Sequence, residues 1–120
     1  METYGLGTME LRFAELIWER EPIPSGELVK LCREKMHWQK STTYTILRRL
    51  CEKGLFQNQN GAVTSLVERE EYYGRCSEYF VAETFGGSLP QFLAAFTRKK
   101  KLSEKEIQEL EEMIAKSREG

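Results

Sequence analysis

Apolar positions in the first half of the chain recur at helical spacing and change to strand-like alternation once. Met9, Phe13, Leu16 and Ile17 stand at i, i+4, i+7 and i+8, one stripe of a helix, with Thr8 ahead of them as the expected N-cap. This predicts a first helix over roughly Met9 to Arg20. Glu21-Pro22-Ile23-Pro24 ends it, because each proline lacks an amide hydrogen and restricts the residue before it. Ser25 is the expected cap of a second helix that buries Leu28, Leu31 and Cys32 and closes at His37-Trp38-Gln39. A third runs from about Ser41 to Lys53 with Thr43, Ile46, Leu47 and Leu50 inward, and Gly54 stops it. Leu55 to Gln59 and Ala62 to Val67 then read as two short strands joined by Asn60-Gly61, a strong hairpin signal. Three helices and a hairpin in this order predict a winged helix.

Beyond the hairpin the pattern is helical to the end. Glu70 to Phe85 predicts a helix burying Tyr72, Cys76, Tyr79 and Phe80, broken by Gly86-Gly87. Ser88 with Gln91 forms a capping-box pattern, Pro90 fits the first turn, and Phe92, Leu93 and Phe96 supply the apolar side. Ser103 and Glu106 open a last helix carrying Ile107, Leu110 and Ile114. The expected fold is mainly α with a small β-hairpin wing: a winged helix-turn-helix at 1–75, followed by a helical dimerisation tail at 76–120. Three short helices enclose too little volume to bury the side chains they display. A second copy of the chain would cover Phe80, Phe92, Leu93, Phe96, Ile107, Leu110 and Ile114; packing the tail onto the first domain would do the same. Twofold operators match twofold proteins, which favours the homodimer.

Composition narrows the class. The chain has 120 residues, 40% hydrophobic and 31% charged, a globular balance. Its longest apolar run, Phe92 to Phe96, is far too short to span a bilayer, and Met1-Glu2-Thr3 does not open a signal peptide, so a cytoplasmic location without membrane association is expected. Cys32, Cys51 and Cys76 are odd in number and form no CxxC pair, which argues against a disulfide framework or zinc ribbon. The net charge of −1 says little, but between Lys35 and Lys53 five basic residues stand against the single acid Glu52, a local +4.

That basic segment contains the candidate site. At about 100° per residue, Ser41, Thr42, Thr45 and Arg49 project away from the face of Thr43, Leu47 and Leu50. Together with Lys40 and Arg48 they are suited to a major groove, where hydroxyls contact bases or phosphates and arginine pairs with guanine or phosphate. A solvated helix face is the plain alternative, and the winged-helix order around it favours double-stranded DNA. Cys32 and His37 do not make a metal or nucleophile site, since no third ligand or orienting group accompanies them. Trp18 and Trp38 read as core or interface anchors, and Arg98-Lys99-Lys100-Lys101 as a solvated turn. No catalytic residue, metal or cofactor is expected.

The segment from Ser41 to Leu55, STTYTILRRLCEKGL, resembles the recognition helix of the penicillinase and methicillin-resistance repressor family of bacterial winged-helix proteins. Glu10 with Ile17-Trp18 resembles that family's first helix. Leu66 to Tyr72, Phe85-Gly86-Gly87-Ser88 and Leu102 to Ile107 resemble its connector and tail, so the likeness spans nearly the whole chain. The resemblance implies a dimeric repressor of a palindromic operator, regulating a β-lactam resistance or related stress operon. It also implies a sensor-linked protease as partner, cutting the tail at an Asn-Phe bond that aligns with Ala95-Phe96. Two departures stand out. The wing, Phe56 to Ser65, has no Lys, Arg or Tyr, and the tail lacks the CxC pairs of the copper-responsive branch. A neutral wing leaves a second class open, a winged-helix protein-interaction module without DNA binding.

Overall fold

The element order is α1 (Thr8–Arg20), β1 (Ile23–Pro24), α2 (Ser25–Met36), α3 (Lys40–Glu52), β2 (Phe56–Gln59), β3 (Ala62–Ser65), α4 (Arg69–Phe85), α5 (Leu89–Lys99) and α6 (Glu104–Glu119). The structure, a computed structural model, describes residues 5–120; Met1-Glu2-Thr3, on which the expectation about a signal peptide rested, lie outside them. The chain divides within α4, after Tyr79, into a first unit and a second unit, Phe80–Gly120.

The first unit is the winged helix. Phe13, Ala14 and Ile17 of α1, Leu28 and Cys32 of α2, Thr43, Leu47 and Leu50 of α3 and Phe56 and Val63 of the hairpin form its buried centre. Met9 lies at the rim, 43% exposed, because the stripe it belongs to runs off the end of the core. Trp18 packs on Phe56 and Tyr72 at ring-centre distances of 5.4 and 5.6 Å, and Trp38 packs on Phe13 at 5.6 Å, so both tryptophans are anchors of the first unit. Thr43 tolerates burial because its hydroxyl donates to the Gln39 carbonyl at 3.5 Å.

Two caps and one strand differ from the expectation. Gly7, not Thr8, is the N-cap of α1, and its amide donates to Glu10 Oε1 at 3.2 Å, so the carboxylate three residues on does the capping. Pro24, not Ser25, precedes α2. Ser25 has moved into the first turn because its amide is taken by the Gly61 carbonyl at 2.8 Å. That bond belongs to an unforeseen strand, since Ile23-Pro24 pairs antiparallel with Ala62-Val63 and the sheet order is β1-β3-β2. Two residues carry too short a pattern to be seen as a strand in sequence. The Asn60-Gly61 turn has both residues at positive φ, 54° and 84°, as a two-residue hairpin loop of this hand requires.

In the second unit, Ser88 Oγ accepts from the Gln91 amide at 3.1 Å, while the Ser88 amide bonds the Phe85 carbonyl instead of the Gln91 side chain, so only half the expected box forms. The Ser103–Glu106 box forms in both directions, at 2.9 and 3.1 Å. The Ser103 amide and hydroxyl hold the Glu106 carboxyl below its ordinary range. Phe80, Phe85, Phe92 and Phe96 form a chain of ring contacts at 5.6 to 6.2 Å. No residue from Phe80 to Gly120 is fully buried within the single chain, Phe80 included, which stands 49% exposed.

Candidate nucleic-acid interface

α3 owes its orientation to one wedge of buried side chains. Thr43, Leu47 and Leu50 root it in the core, and rotation of about 100° per residue then turns Ser41, Thr45 and Arg48 outward. All six residues singled out in sequence, Lys40, Ser41, Thr42, Thr45, Arg48 and Arg49, are exposed on this helix. They are not equivalent. Ser41 and Thr45 lie nearest the middle of the outward face, with Arg48 and Arg49 to either side of it, and Arg49 is on the side that meets Glu10 of α1. Arg48 makes no ion pair among the described residues, while Arg49 Nη1 lies 3.6 Å from Glu10 Oε2 and Lys53 Nζ lies 3.8 Å from Glu10 Oε1.

The opposite flank is tied to α2. Tyr44 Oη and Ser25 Oγ are hydrogen-bonded at 3.1 Å, joining the first turn of α2 to the second turn of α3, the two helices that make the helix-turn-helix. His37, in the left-handed region at φ 57°, ends α2. The Trp38 amide returns to the Cys32 carbonyl at 3.2 Å, and Gln39 then starts α3. The wing is anchored separately. The Glu21 carboxylate accepts from the Ser65 amide and hydroxyl, and Gln57 Nε2 donates to Thr64 Oγ1 at 3.1 Å across the hairpin. Its tip presents Asn58, Gln59, Asn60 and Gly61, all exposed and uncharged.

Burial pushes the Cys32 thiol up, against the smaller effect of its Thr43 bond, and pushes Cys51 up as well. Both thiols are protonated near neutral pH and unsuited to nucleophilic or ligand duty. Among the described residues, no group of three His, Cys or acidic side chains converges as a metal site, and no helix is long and apolar enough to cross a membrane.

Residues 6–116 match the family model described as penicillinase repressor. The chain belongs to the penicillinase repressor family. The methicillin resistance regulatory protein MecI of Staphylococcus aureus strain Mu50 is 25% identical over 96% of this chain and 97% of its own length. The penicillinase repressor of Bacillus licheniformis is 28% identical, covering 88% of this chain and 85% of that protein. The fold is also that of a solved structure, the monomeric form of Bacillus licheniformis BlaI in complex with the blaP half-operator. That match has a TM-score of 0.50 at 23% identity and covers 59% of this chain and 92% of that one.

In this penicillinase repressor family member, four of the seven tail residues named from sequence, Phe92, Leu93, Phe96 and Leu110, line an open groove of about 260 Å³ between α5 and α6, together with Leu102 and Met113; Phe80 and Ile107 are not in its lining. Ile107 is half-buried and Ile114, 57% exposed, stands outside the groove. Ala95 and Phe96 lie within α5, both exposed. Sequence reasoning missed the part played by Glu10 and Lys53 beside α3. Glu10 is separated from its two partners by some forty residues, so no local pattern announces the contact.

Proposed function

We propose that this chain is a transcriptional repressor that binds palindromic operator DNA as a homodimer, with α3 of each copy in one major groove. The observation that carries the reading is the outward face of α3, where two hydroxyls, Ser41 and Thr45, and Arg48, which has no ion pair among the described residues, stand on a helix rooted by three buried residues. Ser41 and Thr45 contact base edges or phosphates near the helix N-terminus. Arg48 pairs with guanine or phosphate, and Lys40, Thr42 and Arg49 flank them. The uncharged wing contributes hydrogen bonds from Asn58, Gln59 or Asn60 instead of ionic contacts.

The homodimer reading is supported by the second unit, which has apolar rings and a groove but no fully buried residue. A second copy covers Phe80, Phe92, Leu93, Phe96, Ile107, Leu110 and Ile114. The names of the relatives support a regulon of β-lactam resistance or a related stress operon; a cytoplasmic repressor with no catalytic role is the form that reading takes. A sensor-linked protease that cuts Ala95-Phe96 would release the repressor, because separating the dimerising segment removes the gain from bivalent binding.

Gel-shift capture of fragmented genomic DNA tests the proposal. Selective retention of a fragment with a twofold site, weakened by Thr45→Ala and by Arg48→Ala while circular dichroism is unchanged, is the expected result. Failure to retain any fragment would favour the protein-interaction module.

A further inference from the structure

The Glu10 carboxylate occupies an unusual position beside the proposed reading helix. It sits in the first turn of α1, its side chain only 18% exposed, and reaches three groups at once. Oε1 accepts from the Gly7 amide at 3.2 Å and lies 3.8 Å from Lys53 Nζ. Oε2 is buried and has no hydrogen-bond partner among the described residues, where its nearest cation, Arg49 Nη1, stands 3.6 Å away, beyond hydrogen-bond reach. The two cations are about half exposed, 52% for Arg49 and 45% for Lys53, so both side chains are free to swing outward. Glu10 is held and the cations are not.

We infer that Glu10 is an affinity-setting residue, an internal counter-anion that competes with DNA phosphate for Arg49 and Lys53 at the C-terminal end of α3. The inference rests on the DNA-binding reading above and adds a residue that makes no DNA contact itself. Glu10, Arg49 and Lys53 together carry a net +1, so a phosphate approaching this flank meets one uncompensated charge, not two. The ion pairs are loose and half-solvated, which makes the exchange of carboxylate for phosphate shallow instead of prohibitive. Arg48, with no ion pair among the described residues, has no such buried counter-anion; its only acidic neighbour in the helix is the exposed Glu52, four residues on. The result is a recognition helix whose α1 flank is partly neutralised by Glu10. Affinity for any duplex, whatever its sequence, is thereby kept down.

The test uses the full chain and a random-sequence duplex of about 30 base pairs, long enough for two half-sites one turn apart, titrated by fluorescence anisotropy across a salt series. Glu10→Gln keeps the Gly7 cap but removes the charge. It is expected to tighten binding by about two- to fivefold, the span of an exposed ion pair released. It should also steepen the slope of log affinity against log salt by about 0.9, one further phosphate neutralised. In the Arg49→Gln/Lys53→Gln background the same substitution should change neither quantity, a readout that a purely structural role would not produce. An unchanged or weakened affinity for folded Glu10→Gln, or an equal gain in the neutral background, overturns the inference while leaving the DNA reading intact. If Glu10→Gln does not fold, the comparison of Arg49→Gln with Arg48→Gln decides: Arg49→Gln must lose less affinity and less slope, and equal losses overturn it. Absence of any wild-type binding to the duplex would sink the DNA reading itself, and the inference with it.

Discussion

The Glu21 carboxylate accepts hydrogen bonds from both the amide and the hydroxyl of Ser65, each at 2.8 Å, and so fastens the end of α1 to the end of β3. The two residues are 44 positions apart, and the bond fixes where the wing leaves the helical core. Replacing Glu21 by Ala removes the acceptor of a half-buried amide. The expected loss of stability is about 1.5–3 kcal/mol, the range for hydrogen bonds to a charged group. Urea denaturation measures it. Hydrogen exchange at the Ser65 amide should accelerate more than exchange in α2, and equal acceleration at both would show that Glu21 is not a local anchor.

Tyr72 makes stability sensitive to alkaline pH. Its phenol, 4% exposed, accepts from the Leu6 amide at 2.7 Å, and burial, with the Cys76 thiol beside it, pushes its pKa up to about 12. A raised pKa means that the folded state holds the proton longer than the unfolded chain does. Its contribution is fully present below the ordinary phenol value near 10 and is lost as pH rises from there through about 12. Tyr73 is pushed the same way by burial and by Glu15. Tyr72→Phe should flatten the fall in melting temperature over that window. It should also lower stability at neutral pH by about 1 kcal/mol, because the Leu6 amide loses its acceptor. A wild-type alkaline slope in Tyr72→Phe would remove this assignment.

Phe96 is the test of the proposed subunit contact. It is 42% exposed in the single chain and borders the groove between α5 and α6. If a second copy covers it, Phe96→Asp places an unpaired carboxylate in an apolar interface at a cost of several kcal/mol. Sedimentation at micromolar concentration should then report monomers with unchanged helicity. A dimer of wild-type affinity would place the interface elsewhere.

Cleavage at Ala95-Phe96 is expected to act by geometry. A chain ending at Ala95 lacks the last turn of α5 and all of α6, and therefore one wall of the groove. The 1–95 fragment should keep the melting transition of the winged helix, whose core residues all precede Tyr73. It should lose tight operator binding, since two weakly bound half-sites are no longer tied. Tight binding by the fragment would refute the role of the tail. A repressor still intact in β-lactam-treated cells whose regulon is induced would point to another signal.

Periodicity alone determined much of this protein. The 3.6-residue stripes placed six helices, Asn60-Gly61 placed the hairpin, and the arrangement of Ser41 to Gly54 told which residues of the third helix root it and which face out, because burial on a helix is a matter of angle. The order and spacing of short motifs along the sequence carry the resemblance to the family. What pairs across the chain was not legible. The strand Ile23-Pro24 exists only because β3 lies beside it, Ser25 is drawn from a cap to a tyrosine partner, and Glu21 and Glu10 find partners some forty residues away. The sequence offered both Arg48 and Arg49 as DNA-binding candidates, yet the packing of α1 beside α3 gives Arg49 an anion, while Arg48 has none among the described residues. Local propensity and amphipathic angle are properties of a segment and can be read from it. Electrostatic partnership depends on which segments meet, and only the tertiary fold decides that.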